Sequence, residues 1–241
     1  MATVAEHYDK LLADVYSWML GGFKTAIQRN AAFLHENNLS PRGSGISIDL
    51  GAGCGFQSIP LASAGYAVTA IDIDAKLLSE LNSHCGGLQI RTIKDDLINF
   101  DKHTPKGAEL IVCMTDTIIH LESKEKVALL LNNVYEALEP GGKCVLTFRD
   151  LTGELDELDR FLPVKSDENI IFTCFLEYEP ETVKIHDLVY RKTAGTWQLY
   201  KSFYRKLRLS KQWVETKLSS CRFTGIDSEI NQGLVKIIAV K

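Results

Sequence analysis

The chain has 241 residues, of which 45% are apolar, and its formal net charge is −4 with a sequence pI near 5.9. This length suits one α/β domain with an added lid or elaboration. The acidic balance argues against a general nucleic-acid binder, which normally carries a basic patch. The amino-terminal sequence lacks the pattern of a signal peptide, and no apolar run is long enough to span a bilayer. We therefore expect a cytoplasmic protein with neither nucleic acid nor membrane as a partner.

The first 40 residues are predicted to be helical, because apolar side chains recur there at intervals of three and four. After them, strands alternate with helices as far as residue 150, which is typical of parallel βαβ units. The predicted strands of this stretch are Ile46–Leu50, Ala67–Ile71, Leu88–Ile93, Glu109–Met114 and Lys143–Phe148. The predicted helices are Phe56–Ala64, Ala75–Asn82 and Ser123–Leu138.

The pattern changes after Asp150. Leu151–Glu168 is acidic and is predicted to be a loop with one helical turn. Three segments of alternating polarity then predict an antiparallel meander. These segments are Ile170–Tyr178, Val183–Arg191 and Thr196–Leu207. The chain is predicted to close with a helix at Ser210–Ser219 and strands at Phe223–Glu229 and Leu234–Val240.

These elements predict an α/β fold, with a doubly wound and mostly parallel seven-stranded sheet and an antiparallel β-meander insertion. We divide the chain into four parts. They are a helical arm (1–40), an α/β core (41–150), an insertion or lid (151–209) and a closing helix and strands (210–241). The aromatic side chains of the insertion suit either a lid over a pocket or a dimer face, so a monomer and a homodimer both remain open.

Two groups of residues are interpreted as structural. None of the six cysteines sits in a Cys-x-x-Cys pair or has histidine at zinc-ligand spacing, so we expect no metal site. A basic cluster near the end of the last meander strand is interpreted as a solvated strand end. Its members are Arg205, Lys206, Arg208 and Lys211.

A glycine-rich turn joins the first predicted strand to the first helix, with Gly51, Gly53 and Gly55 at alternate positions. These glycines let the backbone approach a ligand, and the helix amino terminus offers free N–H groups. A dinucleotide-binding turn needs a small residue where this chain has Phe56. The Asp49 carboxylate would also repel a pyrophosphate. It suits a ligand with an ammonium group, which S-adenosylmethionine carries.

Acidic residues follow the next two strands in register. Asp72 lies about 20 residues beyond the turn, where an acid binds ribose hydroxyls in this fold class. Asp96, in the Asp95-Asp96 pair, is placed to accept a hydrogen bond from an adenine amino group, and Ile73 and Leu97 are placed to sandwich the ring. The alternative is that each acid only caps a helix.

The stretch from Ile48 to Asp150 resembles class I S-adenosylmethionine-dependent methyltransferases, which have a Rossmann-like fold. The motifs that carry this resemblance are residues 49–55, 71–74, 96–97 and 138–143. Within that superfamily the chain is most similar to the glycine N-methyltransferase type. This closer likeness rests on Tyr8 with residues 15–21, on residues 115–121 and on residues 148–150.

The resemblance implies roles for residues of the arm and of the fourth strand's end. Tyr8, Tyr16 and Trp18 belong to a helical arm that covers the cofactor in that family, and Thr115 is expected beside the cofactor. The arm departs from the family in one respect. No residue matches its cofactor-binding arginine, and Ala26 falls near that place.

Three candidate catalytic residues follow the fourth and fifth strands, where ligands of open α/β sheets bind. Arg149 matches a family arginine that grips the substrate carboxylate, and its alternative role is a salt bridge to a loop acid such as Asp150 or Glu154. His120 is either a general base near neutral pH or a capping and packing residue. Asp116 stands where the family has asparagine.

The sequence therefore predicts transfer of a methyl group from S-adenosylmethionine to a small-molecule acceptor, either an amine or a carboxylate-bearing metabolite. Such an in-line displacement depends on alignment and desolvation, which explains why no nucleophile motif is present. Two alternatives remain open at this point. They are an NAD(P)-dependent oxidoreductase and a non-catalytic scaffold that binds the cofactor.

Overall fold

The computed structural model describes residues 3–104 and 106–241. The strands of this part are β1 Ile46–Leu50, β2 Ala67–Asp72, β3 Ile90–Lys94, β4 Ala108–Cys113, β5 Leu138–Arg149, β6 Phe161–Ser166, β7 Ile170–Tyr178, β8 Thr182–Thr193, β9 Thr196–Leu207, β10 Thr224–Asn231 and β11 Leu234–Val240. The α-helices are α1 Val4–His7, α2 Ala13–Met19, α3 Phe23–Glu36, α4 Ser58–Ser63, α5 Ala75–His84, α6 Lys124–Ala137 and α7 Lys211–Ser220. A π-helix spans Tyr8–Leu12, and 3₁₀ turns span Leu97–Lys102, Thr117–His120 and Glu157–Arg160.

The main sheet has seven strands in the order β10-β11-β5-β4-β1-β2-β3. Strands β1 to β5 pair in parallel, while β11 is antiparallel to both of its neighbours, β5 and β10. The predicted fold class is confirmed. The order reverses between β1 and β4, and a ligand site is expected beyond the carboxyl ends of the strands at such a switch point.

Helices cover both faces of this sheet, because successive side chains of each buried strand point to opposite faces. On β4, Ile111 packs in the cluster that holds Val127 of α6 and Val214 of α7. Its neighbour Leu110 packs in a second cluster, which includes residues of α3 and α4. Strands that are buried on both faces explain the short apolar runs in the sequence.

A second, antiparallel sheet has the order β6-β7-β8-β9. The prediction that Leu151–Glu168 is a loop with one helical turn was partly wrong, because the Glu157–Arg160 turn leads into strand β6. β6 is an edge strand, and its register shifts between Pro163 and Lys165. Proline is tolerated on a sheet edge or at a bulge, and it weakens the sequence signal of a strand.

The amino-terminal helices lie between the two sheets. Leu11, Leu12 and Val15 pack against Phe172 and Val189 of the antiparallel sheet. The other side of the arm packs against the glycine-rich turn, where Ala13 shares a cluster with Cys54 and Phe56. No helix within the described ranges is both long enough and apolar enough to cross a bilayer.

Candidate active site

A cavity of about 650 Å³ lies at the carboxyl ends of the parallel strands, under the amino-terminal arm. Most of the predicted cofactor residues line it. These are Tyr8, Tyr16, Gly51, Gly53, Asp72, Ile73, Asp96, Leu97 and Thr115. The structure thus brings together residues from the arm, from the glycine-rich turn and from the ends of three strands.

Asp72 ties the glycine-rich turn to the end of β2. Its Oδ2 accepts a hydrogen bond from the Gly53 N–H at 2.8 Å, and its Oδ1 accepts one from the Asp74 N–H at 2.8 Å. Burial raises the pKa of Asp72, although the backbone N–H donors act in the opposite direction. The carboxylate therefore fixes the shape of the turn and also faces the cavity.

Two glycines of the turn are required by close contacts. Gly51 has a φ of +76°, and a Cβ there would lie 2.3 Å from the Thr117 side chain. Gly55 has a φ of +92°, and a Cβ there would lie 2.2 Å from Leu81. Gly51 lines the cavity, whereas Gly55 packs the turn onto α5 and does not line it.

Apolar side chains line the part of the cofactor cavity where we expected the adenine ring. Ile73 is 37% exposed despite being apolar, and it lines the cavity together with Leu97. Asp96 also lines the cavity, and its Oδ1 accepts a hydrogen bond from the Ile98 N–H at 3.0 Å. Its neighbour Asp95 binds the His103 ring at 2.6 Å. Asp96 therefore caps a 3₁₀ turn and faces the cavity.

Asp49 and Trp18 lie away from the wall where we expected them. Asp49 is buried beneath the turn, where it accepts a hydrogen bond from the Ser58 hydroxyl at 2.6 Å, and burial raises its pKa to about 7. The Trp18 ring donates from Nε1 to Asp167 at 2.6 Å, and Lys165 lies over its face. Neither residue lines the cavity, because Asp49 supports the turn and Trp18 packs on the β6–β7 hairpin.

A second cavity, of about 760 Å³, adjoins the first. The two cavities share the side chains of Tyr8, Tyr16, Thr115 and His120. All three candidate catalytic residues, Asp116, His120 and Arg149, line this second cavity. We refer to the first as the cofactor cavity and to the second as the acceptor cavity.

Asp116 and two cations form a charged group in the acceptor cavity, whose other charged lining residues are Arg29, Asp187, Glu229 and Lys236. Asp116 accepts hydrogen bonds from the Arg149 N–H at 2.8 Å, from Arg149 Nη1 at 2.7 Å and from Lys206 Nζ at 2.7 Å. Burial alone would raise the pKa of Asp116, but the Lys206 and Arg149 cations hold it well below its usual range. One carboxylate and two cations leave a net positive charge.

Lys206 was missed by our sequence interpretation, which placed it on a solvated strand end. Its side chain is only 11% exposed and lines the acceptor cavity. The salt bridge that we considered between Arg149 and a loop acid is made with Asp116 instead. Strand alternation is the signal that could have found Lys206, because it shares a sheet face with the buried Tyr204.

The backbone at the end of β4 is strained so that Asp116 points inward. Thr115 and Asp116 have φ values of 58° and 70°, in the left-handed region that non-glycine residues rarely adopt. Thr147 holds both residues, since its Oγ1 accepts from the Thr115 N–H and its carbonyl accepts from the Asp116 N–H. Such strain persists only where the surroundings enforce it, and it concentrates at functional sites.

His120 lies in the wall between the two cavities. Its ring stacks on Tyr204 at 5.3 Å between centroids and meets Tyr8 at 5.9 Å. Burial, together with the nearby Lys206 cation, lowers the pKa of His120 to about 3. The imidazole is therefore neutral at physiological pH, which argues against a base that titrates near neutrality.

Among the described residues there is neither a metal site nor a disulfide. Across residues 3–104 and 106–241, no group of three or more potential ligands is arranged to hold a metal ion. The six cysteines are all unpaired. Four of them, Cys54, Cys113, Cys144 and Cys174, are buried.

Comparison with known proteins agrees with this geometry. Residues 48–142 match the family model described as a methyltransferase domain. The glycine/sarcosine N-methyltransferase of Halorhodospira halochloris is 32% identical over 155 residues, which are 63% of this chain and 56% of that protein. The chain thus spans about half the length of the curated relatives it matches.

Solved structures share the fold over nearly the whole chain. Streptomyces venezuelae DesVI has a TM-score of 0.77 at 14% identity, with 95% of this chain and 97% of that chain covered. An S-adenosylmethionine-dependent methyltransferase from Clostridium acetobutylicum has a TM-score of 0.73 at 17% identity, with 97% and 95% covered. Residues 48–142 thus match a methyltransferase domain, and the chain has the fold of an S-adenosylmethionine-dependent methyltransferase.

Proposed function

We propose that the chain transfers a methyl group from S-adenosylmethionine to an amine nitrogen of a small molecule that also carries an anionic group. The observation that carries this proposal is the net positive Asp116–Arg149–Lys206 group in a cavity that adjoins the cofactor cavity. The glycine/sarcosine N-methyltransferase relative supports a nitrogen as the acceptor atom.

The residues of the cofactor cavity fit S-adenosylmethionine. The glycine-rich turn has no room for a Cβ at Gly51, and the exposed Ile73 and Leu97 offer apolar surface to an adenine ring. We assign Asp72 to the ribose hydroxyls and Asp96 to the adenine amino group. Asp49 would act through the turn that it supports, because its own carboxylate is bonded to Ser58.

Arg149 is assigned to the anionic group of the acceptor. Its side chain is 64% exposed, although Nη1 is bonded to Asp116. A guanidinium has five N–H donors in a fork that matches a carboxylate, so one bond to Asp116 leaves others for a ligand. Lys206 is more deeply buried and supplies the second cation.

Asp116 is assigned a positioning role. In the structure its two oxygens already accept three hydrogen bonds from Arg149 and Lys206. The carboxylate therefore orients both cations and neutralises one of them.

The reaction requires the acceptor nitrogen to lie in line with the methyl group. When bound, S-adenosylmethionine supplies an electrophilic methyl on a sulfonium, so the new N–C bond forms while the C–S electron pair passes to sulfur. The shared wall of Tyr8, Tyr16, Thr115 and His120 excludes water and aligns the nitrogen. A neutral amine needs no base to attack, which agrees with the lowered pKa of His120.

The first prediction concerns Arg149→Lys, which keeps the charge but loses the fork. Loss of a hydrogen bond to a charged group costs about 1.5–3 kcal/mol, so kcat/KM should fall about 10- to 150-fold. The affinity for S-adenosylhomocysteine and the Tm should stay nearly constant. Kinetics with labelled cofactor, after a screen of small amino and carboxylic acids, measure the effect.

Arg208→Lys is the matched control, because Arg208 bonds Glu154 and lines neither cavity. It should lower stability modestly and leave turnover per folded molecule intact. Full turnover by Arg149→Lys, or activity confined to acceptors without an anionic group, would refute the assignment of Arg149. Bound cofactor with no methylated acceptor would support the scaffold alternative.

A further inference from the structure

The acceptor cavity is large for a site that holds only a carboxylate and an amine. Its volume of about 760 Å³ lies within the 300–1,000 Å³ range of pockets that enclose drug-sized ligands. A glycine-sized acceptor beside Arg149 would leave most of that space, and the walls around it, in contact with water. The other walls of the cavity are therefore available to a larger acceptor.

The wall contributed by the antiparallel sheet is apolar except for Lys206, which is bonded to Asp116, and Asp187 of β8, which is bonded to His7. Phe172, Cys174 and Leu176 alternate along β7 and so share one face, and all three are buried and line the cavity. Across the strands, Leu176 pairs with Ile185 of β8, and Ile185 pairs with Tyr204 of β9. This row, which we call the apolar wall, consists of Phe172, Cys174, Leu176, Ile185 and Tyr204.

The apolar wall is continuous with the charged group. Tyr204 and Lys206 are two residues apart on β9 and therefore point to the same face of the sheet. Lys206 in turn bonds Asp116, which bonds Arg149. One end of the cavity thus offers cations next to the shared wall with the cofactor cavity, and the antiparallel sheet offers an apolar surface leading away from them.

We propose that the acceptor is amphipathic, with an amine and a carboxylate at the charged end and an apolar body of several carbons on the apolar wall. This inference rests on the proposed function and narrows its acceptor class. Each methylene that leaves water for such a wall should strengthen binding about fourfold. The apolar wall is then the feature that determines acceptor specificity.

Binding to the protein saturated with S-adenosylhomocysteine tests the inference without requiring turnover. Calorimetry would compare glycine with L-alanine, L-2-aminobutyrate, L-norvaline and L-norleucine, which share one head group. We expect affinity to rise about fourfold per methylene, or roughly sixtyfold from L-alanine to L-norleucine. A flat series, or one in which glycine binds best, would overturn the inference.

Two single substitutions at neighbouring residues of β7 test whether the apolar wall causes the rise in affinity. Cys174→Phe fills the space beside the apolar wall, so the ratio of L-norleucine to glycine affinity should fall at least tenfold. Thr173→Phe is the matched control, because Thr173 is the next residue, points to the opposite face and lines neither cavity. An unchanged ratio in Cys174→Phe, or an equal fall in Thr173→Phe, would count against the inference.

If Cys174→Phe also loses S-adenosylhomocysteine, Leu176→Ala replaces it, because it removes contacts without adding volume and should lower the same ratio. Turnover is then measured separately with the same series. Methylated glycine with a flat affinity series would overturn this inference and leave the proposed function intact. A rising affinity series without methylation of any member would refute amine methylation and leave the inference about the wall intact.

Discussion

Burial keeps the His120 side chain, which lines both cavities, in its neutral form. Its ring is enclosed by Tyr8 and Tyr204, and the Lys206 cation lies close enough to disfavour a second positive charge. Its Nδ1 is buried without a hydrogen-bond partner among the described residues. A neutral ring in this place keeps the boundary between the cavities free of a charge that would repel the sulfonium.

The lowered pKa of His120 makes a prediction about stability. Its folded-state pKa, about 3, lies below the unfolded value near 6.5, so the stabilising effect of the neutral ring is complete above pH 6.5. It is lost as the pH falls from 6.5 towards 3, because the unfolded chain binds a proton that the folded chain does not. Relative to His120→Gln, the native protein should lose about 2 kcal/mol of unfolding free energy between pH 7 and pH 5.

Urea unfolding of both proteins at the two pH values measures this difference. The comparison must be with the variant, because Asp49 titrates in the opposite sense. Burial raises the pKa of Asp49 to about 7, so that group contributes stability at acidic pH which is lost as the pH rises through 7. A constant difference between native protein and variant would show that folding does not lower the pKa of His120.

Lys206 shows where residue-level prediction from the sequence stops. The basic cluster Arg205, Lys206, Arg208 and Lys211 has the composition of a solvated strand end. In the structure Arg205 and Arg208 pair with Glu179 and Glu154, while Lys206 turns inward to Asp116, 90 positions earlier in the chain. Asp116 and Arg149 were predicted because they follow parallel strands. Strand alternation indicates that Lys206 faces inward, but no local signal places it beside those two residues.

At the scale of elements, the amino-terminal arm depends on one buried polar contact. The His7 ring nitrogen Nε2 lies 2.8 Å from Asp187 Oδ2, and both residues are buried. The contact joins α1 to β8 just before the π-helix that begins at Tyr8, whose side chain lines both cavities. π-Helical turns are rare and often mark functional sites.

We predict that His7→Ala loosens the arm. It leaves the buried Asp187 without its ring partner, which costs about 1.5–3 kcal/mol for a hydrogen bond to a charged group. Amide exchange of residues 4–19 should therefore accelerate, while the parallel sheet keeps its protection. Turnover should also fall, because the displaced arm moves Tyr8 away from the shared wall.

Asp9→Ala is the matched control on the same arm. Asp9 is 64% exposed at its side chain and pairs with Lys76 on the surface, where such pairs contribute little. Amide exchange of residues 4–19 in Asp9→Ala should match that of the native protein. Equal exchange in His7→Ala would mean that apolar packing of Leu11, Leu12 and Val15 alone holds the arm.

Elements with strong periodicity were predicted closely, and those with mixed signals were not. The alternation of β7 and β8 appears in the sequence because one face of each strand is buried, whereas the first half of β9 is exposed on both faces. No residue of β6 is fully buried, so its sequence shows little alternation of polarity, and Pro163 interrupts the strand. Trp18, which was predicted beside the cofactor, packs on a hairpin that includes the strand that was not predicted.

At the scale of the whole molecule, the topology brings distant segments to one edge of the sheet. The parallel order was predictable because strands alternate with helices, and it places the ends of β1, β2 and β4 together. The sequence did not show how the antiparallel sheet folds back over that edge. As a result most residues that were predicted to bind the cofactor line one cavity, whereas the apolar wall of the acceptor cavity was not predicted.

The shift in Tm on ligand binding distinguishes a methyltransferase from the oxidoreductase alternative. A ligand that binds only the folded state at 100 times its Kd stabilises it by about 2.7 kcal/mol, which for a chain of this size raises the Tm by about 5–10 °C. We expect this shift with S-adenosylhomocysteine and none with NADH. The sheet agrees with this expectation, because a dinucleotide-binding sheet has the strand order 3-2-1-4-5-6, whereas here the antiparallel β11 lies between β5 and β10.

The variant Asp72→Ala tests whether the Tm shift arises from binding at the cofactor cavity. The carboxylate is assigned to the ribose and also holds the glycine-rich turn through the Gly53 N–H, so its loss should weaken cofactor binding by about 1.5–3 kcal/mol. At a fixed ligand concentration the Tm shift should shrink accordingly. Asp95→Ala is the control, because Asp95 follows the next strand, binds His103 and does not line the cavity. An undiminished Tm shift in Asp72→Ala would show that Asp72 does not bind the cofactor. An equal Tm shift of the native protein with NADH would favour the oxidoreductase alternative.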